Sequence, residues 1–215
     1  MGFNITSEDY VKYLRLAAAK IEENGAYITA LDAVTGDGDH WANIHKGFSA
    51  LMQMAPELET KPIDAVFRQI GATMMSKVGG SSGALYGGAY LAASKKVSGK
   101  EKLDSPDLCD ALEAMVTDMM SRGKAQPGDK TMIDTLYPAV QVYKKAIAQQ
   151  CSDRETMEMV RDAALQGAQS TEQMEAMKGR ASYRQDKGVG HLDPGAVTMA
   201  YQITCMADYT IDHVI

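Results

Sequence analysis

One acidic, glycine-containing segment separates two stretches of helical pattern and reads Asp32-Ala-Val-Thr-Gly-Asp37-Gly-Asp39-His40-Trp41-Ala42-Asn43-Ile-His-Lys-Gly-Phe48. Three aspartates, a histidine and an asparagine fall within twelve positions, and two glycines lie between the aspartates. Carboxylates this close repel one another unless a cation neutralises them, and such glycines indicate a backbone that turns sharply or approaches a ligand. The segment indicates a hard-metal site beside a phosphate site; the alternative is an acidic surface turn before a helix.

The composition narrows the class of protein. With 215 residues, of which 45% are hydrophobic, the chain can bury a full core in one large domain or two small ones. The formal net charge of -6 and the lack of a basic cluster argue against nucleic acid and anionic membranes as partners. No apolar run in the sequence is long enough to span a bilayer.

Cysteine usage and the first residues bear on the cellular compartment. Cys109, Cys151 and Cys205 are far apart and odd in number, which favours a reducing compartment over a disulfide framework. The segment Met1 to Tyr10 is polar and lacks the apolar core of a signal peptide. We therefore expect a cytoplasmic protein.

Apolar residues recur at helical spacing along most of the chain, and runs of β-branched residues are scarce. The pattern predicts nine helical segments, at about 7–24, 26–34, 40–55, 63–78, 84–98, 105–122, 131–149, 153–177 and 194–209. We find no repeat, low-complexity segment or linker. The sequence therefore predicts one all-α domain over residues 1–215, with helices mostly antiparallel to their neighbours.

The predicted connections between helices are of two kinds that alternate along the chain. Those near 25, 56–62, 99–104 and 150–153 are ordinary turns or polar loops, whereas those at 35–40, 79–83, 123–130 and 178–193 are rich in Gly, Asp, Ser, Arg and His. Alternate connections of an up-and-down helical array lie at the same end. We therefore predict that the four unusual loops gather on one rim and form a composite site.

The aspartates of the first loop are candidate metal ligands. Asp32, Asp37 and Asp39 offer only oxygen, which suits Mg²⁺, because that ion is held by a few carboxylates and by substrate phosphates. An EF-hand is excluded, since Trp41 and Phe48 would stand at two ligand positions counted from Asp37. Zinc is disfavoured because neither a cysteine nor a second histidine lies at a suitable spacing to bind the ion together with His40.

The other loops are candidates for anion binding. In Gly79-Gly80-Ser81-Ser82-Gly83, backbone N–H groups before a helix can cradle a phosphate; the alternative is a flexible turn. The loop from Gly123 to Thr131 nearly matches a Walker A motif, but it has one residue too many and follows a helix, which excludes a P-loop fold. Arg180 has two interpretations, a phosphate contact or an ion pair with an aspartate.

Taken together, the four loops resemble the nucleotide-binding L subunit of dihydroxyacetone kinase. The matching segments are Leu-Asp32-Ala-Val-Thr-Gly-Asp37-Gly-Asp39-His40, Gly-Gly-Ser-Ser-Gly-Ala-Leu-Tyr-Gly, Arg-Gly-Lys-Ala-Gln-Pro-Gly-Asp-Lys-Thr-Met and Gly-Arg-Ala-Ser-Tyr…Gly-His-Leu-Asp-Pro-Gly-Ala. They occur in the family's order and cover nearly the whole chain. Four such matches in order are far more specific than any one of them.

The resemblance implies a fold and a set of site residues. The fold would be an eight-helix antiparallel up-and-down barrel with ADP or ATP at one rim. Two Mg²⁺ ions would be held by Asp32, Asp37 and Asp39. The implied nucleotide contacts are His40, Trp41, Ala42, Asn43, Ser81, Ser82, Gly123, Met132, Arg180, Asp193, Pro194 and Gly195. Catalysis would be mainly electrostatic, with no general base from this chain.

The resemblance also implies partners. A separate K subunit would hold dihydroxyacetone as a covalent hemiaminal on its own histidine. In the phosphotransferase-system branch of the family, bound ADP is rephosphorylated by a phosphohistidine on an M subunit, and the lack of a fused K domain favours that branch. The alternatives are ATP as the donor, or a nucleotide-loaded regulator that docks to a transcription factor. We also expect a homodimer.

Two positions depart from the family's pattern. Trp41 replaces the usual glycine after Asp-His, and Ala84 replaces the usual proline after the second glycine-rich segment. Trp41 either stacks on the ligand or fills a gap between helices. These departures leave open a related kinase for another short ketose, such as one with four carbons.

Overall fold

The computed structural model describes residues 2–215 and confirms the prediction of an all-α protein. Within these residues the helices are α1 (Ser7–Glu23), α2 (Gly25–Thr35), α3 (His40–Leu58), α4 (Ile63–Lys77), α5 (Gly80–Lys96), α6 (Ser105–Gly123), α7 (Ile133–Ala148), α8 (Asp153–Ser170) and α9 (Pro194–His213). Two short 3₁₀ helices, Thr171–Gln173 and Arg180–Tyr183, lie in the long connection between α8 and α9. Extended pairing in the described residues is limited to one antiparallel bridge between Ile5 and Leu103.

Polar side chains account for several helix starts. The Thr6 hydroxyl accepts a hydrogen bond from the Asp9 N–H at 3.2 Å, and the Asp9 carboxylate accepts one from the Thr6 N–H at 3.0 Å. At α6, the Asp104 carboxylate accepts a hydrogen bond from the Asp107 N–H at 2.8 Å. Such caps satisfy N–H groups that have no partner inside the helix.

Eight of the helices form a closed series of contacts. In the order α1, α3, α4, α5, α6, α7, α8 and α9, each helix packs against the next, and α9 packs against α1. Helix α2 lies outside this series, against α1, α3 and α9. This order of contacts is the one that an eight-helix barrel requires. The largest fully buried side chains include Tyr10, Phe67, Tyr86 and Tyr143.

The predicted start of α5 at Ala84 is wrong. The helix begins at Gly80, so residues 81–83, which were predicted as a loop, form its first turn. Gly80 enters the helix with φ +65°, a conformation that favours glycine. A side chain at Gly83 would collide with the Val78 carbonyl oxygen. The glycines therefore allow α5 to start close to the end of α4.

The predicted ends of α3 and α8 are also wrong. Helix α3 continues through Pro56 to Leu58. Proline so near the end of a helix removes only one backbone hydrogen bond. Helix α8 ends at Ser170 rather than near Met177. The chain leaves the helix axis there, and the Met177 N–H instead donates to the Asp129 carbonyl at 3.1 Å.

Among residues 2–215, no helix is both long enough and apolar enough to cross a bilayer.

Candidate functional site

A cavity with a volume of about 590 Å³ opens where α3, α5, α7 and α9 begin. All four loops that were predicted to share one rim contribute to its wall. The predicted site residues that line it are Asp32, Asp37, Asp39, His40, Asn43, Ser81, Ser82, Gly123, Met132, Arg180, Asp193, Pro194 and Gly195. Its volume lies in the range typical of small-molecule sites. The fold thus brings distant parts of the chain together around one cavity.

The three aspartates converge at the turn between α2 and α3. Carboxylate oxygens of Asp32, Asp37 and Asp39 all lie within 4.8 Å of one another. Asp32 is buried, and its carboxylate accepts a hydrogen bond from the His40 N–H at 2.9 Å. Asp37 and Asp39 are exposed. A set of hard oxygen donors at this spacing fits Mg²⁺, with room left for ligand oxygens.

The glycines of this turn allow the aspartates to converge. A Cβ at Gly36 would collide with the Asp32 carboxylate. Gly38 has φ +77°, a left-handed conformation that other residues adopt only with strain. The alternation of glycine and aspartate in the sequence is therefore a steric requirement of the acidic cluster.

Arg180 supplies a positive charge opposite the aspartates. Its guanidinium lies 2.6 Å from the Asp37 carboxylate. The ion pair is largely exposed, with 66% of the Arg180 side chain accessible to solvent. Such an exposed pair contributes little stability. Of the two interpretations left open by the sequence, the aspartate pair is present in this structure.

His40 and Asn43 project from the first turn of α3. The His40 Nε2 lies 3.0 Å from the Thr198 hydroxyl on α9. Burial lowers the pKa of His40, and the nearby Asp32 and Asp39 oppose that shift only in part. Burial therefore favours the neutral form of the imidazole. The Asn43 side-chain amide lies against Gly79, where a Cβ would approach its oxygen to 2.6 Å.

The N-terminus of α5 presents free backbone donors to the cavity. Its N-cap, Gly79, has no side chain to accept a hydrogen bond from the first turn. Gly80, Ser81 and Ser82 line the cavity at that turn. Unpaired N–H groups and the helix dipole make such a terminus a favourable place for an anion.

Asp193 and Lys130 lie on the opposite wall. The Asp193 carboxylate caps α9 by accepting a hydrogen bond from the Ala196 N–H at 2.7 Å. Burial raises the pKa of Asp193 to about 7. Lys130 is 2% exposed, and burial lowers the pKa of its ammonium, with Asp193 opposing the shift. Sequence reasoning did not single out Lys130, although its place in the Walker-like loop was the available signal.

Trp41 and Ala42 do not line the cavity, although the resemblance implied that both contact the nucleotide. The Trp41 indole N–H donates to the Ile21 carbonyl at 3.2 Å, and its ring stacks on His45 with centroids 4.9 Å apart. The indole also packs against Gly25, where a Cβ would lie 2.6 Å from it. Trp41 therefore fills the gap between α1, α2 and α3.

Two relatives of the chain are named as kinase subunits. A model of the DAK2 domain matches residues 34–208. The chain is 33% identical over 204 residues to the PEP-dependent dihydroxyacetone kinase, ADP-binding subunit DhaL, of Escherichia coli (strain K12), with 95% of this chain and 97% of that protein covered. It is 40% identical over 190 residues to the PEP-dependent dihydroxyacetone kinase 1, ADP-binding subunit DhaL, of Listeria innocua, with 88% and 90% covered.

A solved structure has the same fold. The dihydroxyacetone kinase from C. freundii in complex with AMP-PNP and Mg²⁺ matches with a TM-score of 0.72 and 26% sequence identity, over 92% of this chain and 33% of that chain. This chain thus spans about a third of the length of that kinase. The resemblance seen in the four loops is confirmed, and the chain belongs to the DAK2 domain family.

Proposed function

We propose that this chain is the nucleotide-binding, phosphoryl-donating subunit of a dihydroxyacetone kinase. One observation carries the proposal: three convergent carboxylates and the uncapped N-terminus of α5 line the same cavity. Carboxylates attract metal cations, whereas a free helix N-terminus attracts anions. A Mg²⁺-bound polyphosphate satisfies both requirements at once. The names of the relatives from Escherichia coli and Listeria innocua support the same function.

Asp32, Asp37 and Asp39 would hold two Mg²⁺ ions. The donor set fits, because it is all oxygen and two of its members are exposed to the cavity. Mg²⁺ bound there would neutralise charge on the phosphate oxygens. Asp32 also has a structural role, because its carboxylate accepts a hydrogen bond from the His40 N–H and so holds the acidic turn against the start of α3. Asp37 would exchange its partner Arg180 for the metal.

The phosphates would lie between the acidic turn and α5. Ser81 and Ser82 offer hydroxyl and backbone N–H donors, and the side chains of His40 and Asn43 line the same part of the cavity from α3. Arg180, once released from Asp37, would bind the transferring phosphoryl group, where a fixed positive charge stabilises the transition state. No residue of this chain needs to act as a general base, because the acceptor hydroxyl belongs to a substrate held elsewhere.

The rest of the cavity would hold the nucleoside. Gly123 and Met132 line it beside the loop between α6 and α7. The turn Asp193-Pro194-Gly195 closes the wall at the start of α9. The absence of a side chain at Gly123 leaves room for a base or ribose in this part of the cavity.

The acceptor and the primary donor would come from other subunits. A K subunit would carry dihydroxyacetone, and a phosphohistidine M subunit would regenerate ATP on bound ADP. Two relatives named as ADP-binding subunits of PEP-dependent kinases support this arrangement. The chain also covers 97% of the length of the Escherichia coli relative.

ATP as an exchangeable donor is the second candidate. The kinase from C. freundii was solved with AMP-PNP and Mg²⁺, and AMP-PNP is an ATP analogue. The two candidates differ in how tightly the site retains its nucleotide. A subunit that is rephosphorylated in place must hold ADP through many turnovers, whereas an ATP-dependent subunit must release it each time.

Nucleotide content tests the proposal. The protein is purified without added nucleotide, and bound ligand is released by acid and quantified by chromatography. We expect close to one ADP per chain and phosphoryl transfer when K and M subunits are added. An empty protein that exchanges Mg²⁺-ATP freely would favour the ATP-dependent candidate. An empty protein whose thermal unfolding is unchanged by Mg²⁺ with ADP or ATP would contradict both, since a ligand must stabilise the state it binds.

A further inference from the structure

The ammonium of Lys130 joins two distant points of the chain. Its Nζ donates to the Thr171 carbonyl and, at 2.5 Å, to the His191 carbonyl. The side chain is buried, and Lys130 has φ +60°. A buried lysine in a left-handed conformation is costly on both counts. Its hydrogen bonds to the two carbonyls are charge-assisted and stronger than neutral ones.

The two carbonyls stand at the two ends of one segment. Between residues 171 and 191 the chain leaves α8, passes over the cavity and returns toward α9. Two further bonds close the base of this segment, from the Gly190 N–H to the Glu172 carbonyl at 2.7 Å and from the Asp193 N–H to the Thr171 hydroxyl at 3.0 Å. The far part of the segment is exposed, with Tyr183 91% accessible. The segment is therefore held at its base and, higher up, by bonds from the Met177 N–H to Asp129 and from the Ala176 N–H to Lys187, whereas its tip is exposed.

Arg180 lies in the exposed part of this segment, next to the acidic cluster. Its ion pair with Asp37 is a contact that a metal at the aspartates would break. The position of Arg180 over the cavity then depends on how firmly the segment is held, both at its base and at the Met177 bond to Asp129. Lys130 lies at that base, because it binds a carbonyl from each end.

The loop that carries Lys130 is itself held rigidly. The buried Asp134 carboxylate accepts hydrogen bonds from the Gly128 N–H at 2.5 Å and from the Thr131 N–H at 2.7 Å. These bonds fix the backbone on both sides of Lys130. The ammonium therefore has a defined position before the 171–191 segment closes on it.

We propose that Lys130 is a positioning residue for Arg180. It closes the base of the 171–191 segment and so holds Arg180 over the phosphate end of the cavity. The role rests on the proposed function, because the value of placing Arg180 there depends on a bound polyphosphate. The Walker-like sequence around Lys130 thus has a use different from that of a P-loop lysine, since its ammonium binds backbone carbonyls of the protein.

Limited proteolysis tests the closure itself. In Lys130→Met the stem is retained and the ammonium is lost, which leaves two carbonyls without their donor. We expect trypsin to cut the folded protein after Arg184 or Lys187 about tenfold faster than in the wild type, because the segment opens more often. Lys124→Met, an exposed lysine of the same loop that also has a positive φ, is the matched control and should be cut at the wild-type rate.

Binding of Mg²⁺-AMP-PNP to the nucleotide-free protein tests whether Lys130 acts through Arg180, because this ATP analogue carries the terminal phosphoryl group that Arg180 is proposed to bind. We expect Lys130→Met and Arg180→Met each to weaken binding about tenfold, and the double variant to bind no more weakly than the weaker of the two single variants.

Equal rates of proteolysis for Lys130→Met and the wild type would overturn the claim that Lys130 closes the segment. Multiplying effects in the double variant, or a normal affinity for Lys130→Met, would overturn the positioning role. If Lys130→Met does not fold, Lys130→Gln replaces it with the same outcomes. If the wild-type protein binds neither Mg²⁺-ADP nor Mg²⁺-AMP-PNP, the proposed function is contradicted. The proteolysis experiment would still test whether Lys130 closes the base of the segment.

Discussion

The two ends of the helical array treat their helix N-termini differently. At the end away from the cavity, α1, α6 and α8 begin with side-chain caps from Thr6, Asp104 and Ser152, whereas α4 follows Pro62. At the cavity end, α3, α5 and α7 have no side-chain cap hydrogen bond, and only α9 is capped, by Asp193. At the cavity end, the first N–H groups of α3 and α7 instead bond to side chains of Asp32 and Thr131, and the first turn of α5 has no such partner.

This contrast separates stability from ligand binding. A side-chain cap contributes about 1 kcal/mol to stability, and the first turn of α5, whose N–H groups are free, lacks that contribution. The same free N–H groups can bind an anion. A ligand that binds only the native state restores the lost stability. Substitutions at the two ends should therefore differ in which property they change.

The largest effect is expected at the acidic turn. Asp37→Asn keeps the shape of an exposed side chain but removes a metal-binding charge, and phosphoryl transfer in the reconstituted kinase should fall by about three orders of magnitude. The far-UV circular dichroism spectrum should not change. Asp212→Asn makes the same chemical change on an exposed aspartate at the other end of α9 and should retain full activity. Transfer by Asp37→Asn at the wild-type rate would remove Asp37 from the metal site.

A smaller effect on binding is expected at the start of α5. Ser81→Asp places a carboxylate where a phosphate is proposed to bind, and the affinity for Mg²⁺-ADP should fall by about tenfold or more. The same charge near a helix N-terminus should raise the stability of the nucleotide-free protein by about 0.5 kcal/mol. Calorimetry and chemical denaturation measure the two quantities. Thr60→Asp is the control: it introduces the same charge at the opposite end of the helical array and should leave the affinity for Mg²⁺-ADP unchanged. A Ser81→Asp variant with normal affinity would contradict the phosphate position.

Removal of a cap at the opposite end should change stability alone. Asp104→Ala deletes the acceptor for the Asp107 N–H, and the free energy of unfolding should fall by about 1 kcal/mol. For a chain of this length, the unfolding midpoint should drop by about 2–4 °C. Asp104→Asn keeps an acceptor and should retain most of the stability. Any loss of affinity for Mg²⁺-ADP in the folded Asp104→Ala protein would show that the two ends are coupled.

Substitution of Trp41 should also change stability and leave binding nearly unchanged. Trp41→Phe keeps an aromatic ring between α1 and α3 but loses the hydrogen bond to the Ile21 carbonyl, and should cost about 1 kcal/mol of stability. The dissociation constant for Mg²⁺-ADP, measured by titration calorimetry, should stay within about twofold of the wild-type value, because the indole does not line the cavity. A larger change in the dissociation constant would show that Trp41 contributes to the nucleotide site.

Local patterns predicted much of the fold and of the candidate site. The apolar period and the capping residues identified the helices, because both signals act within one or two turns of chain. The alternation of loop types predicted the shared rim, because antiparallel packing places every second connection at the same end. Asp32, Asp37 and Asp39 were recognisable since a charge cluster within eight residues is close in any compact conformation.

Other features depend on contacts that the sequence does not encode locally. The early start of α5 depends on the Val78 carbonyl beside Gly83, and the early end of α8 depends on a bond from Met177 to Asp129. Trp41 turns away from the cavity because a gap beside Gly25 accepts its indole. In each case the partner lies on another helix or loop.

Sequence alone thus accounts for the helices, the shared rim and the acidic turn, all of which follow from patterns between neighbouring residues. Packing accounts for the orientation of individual side chains at that rim. Lys130 shows the difference, because its sequence neighbourhood resembles a phosphate-binding loop while its ammonium binds the carbonyls of residues 171 and 191. A side chain takes the partner that the fold brings within hydrogen-bond distance, and that distance is set by helices far apart in the chain.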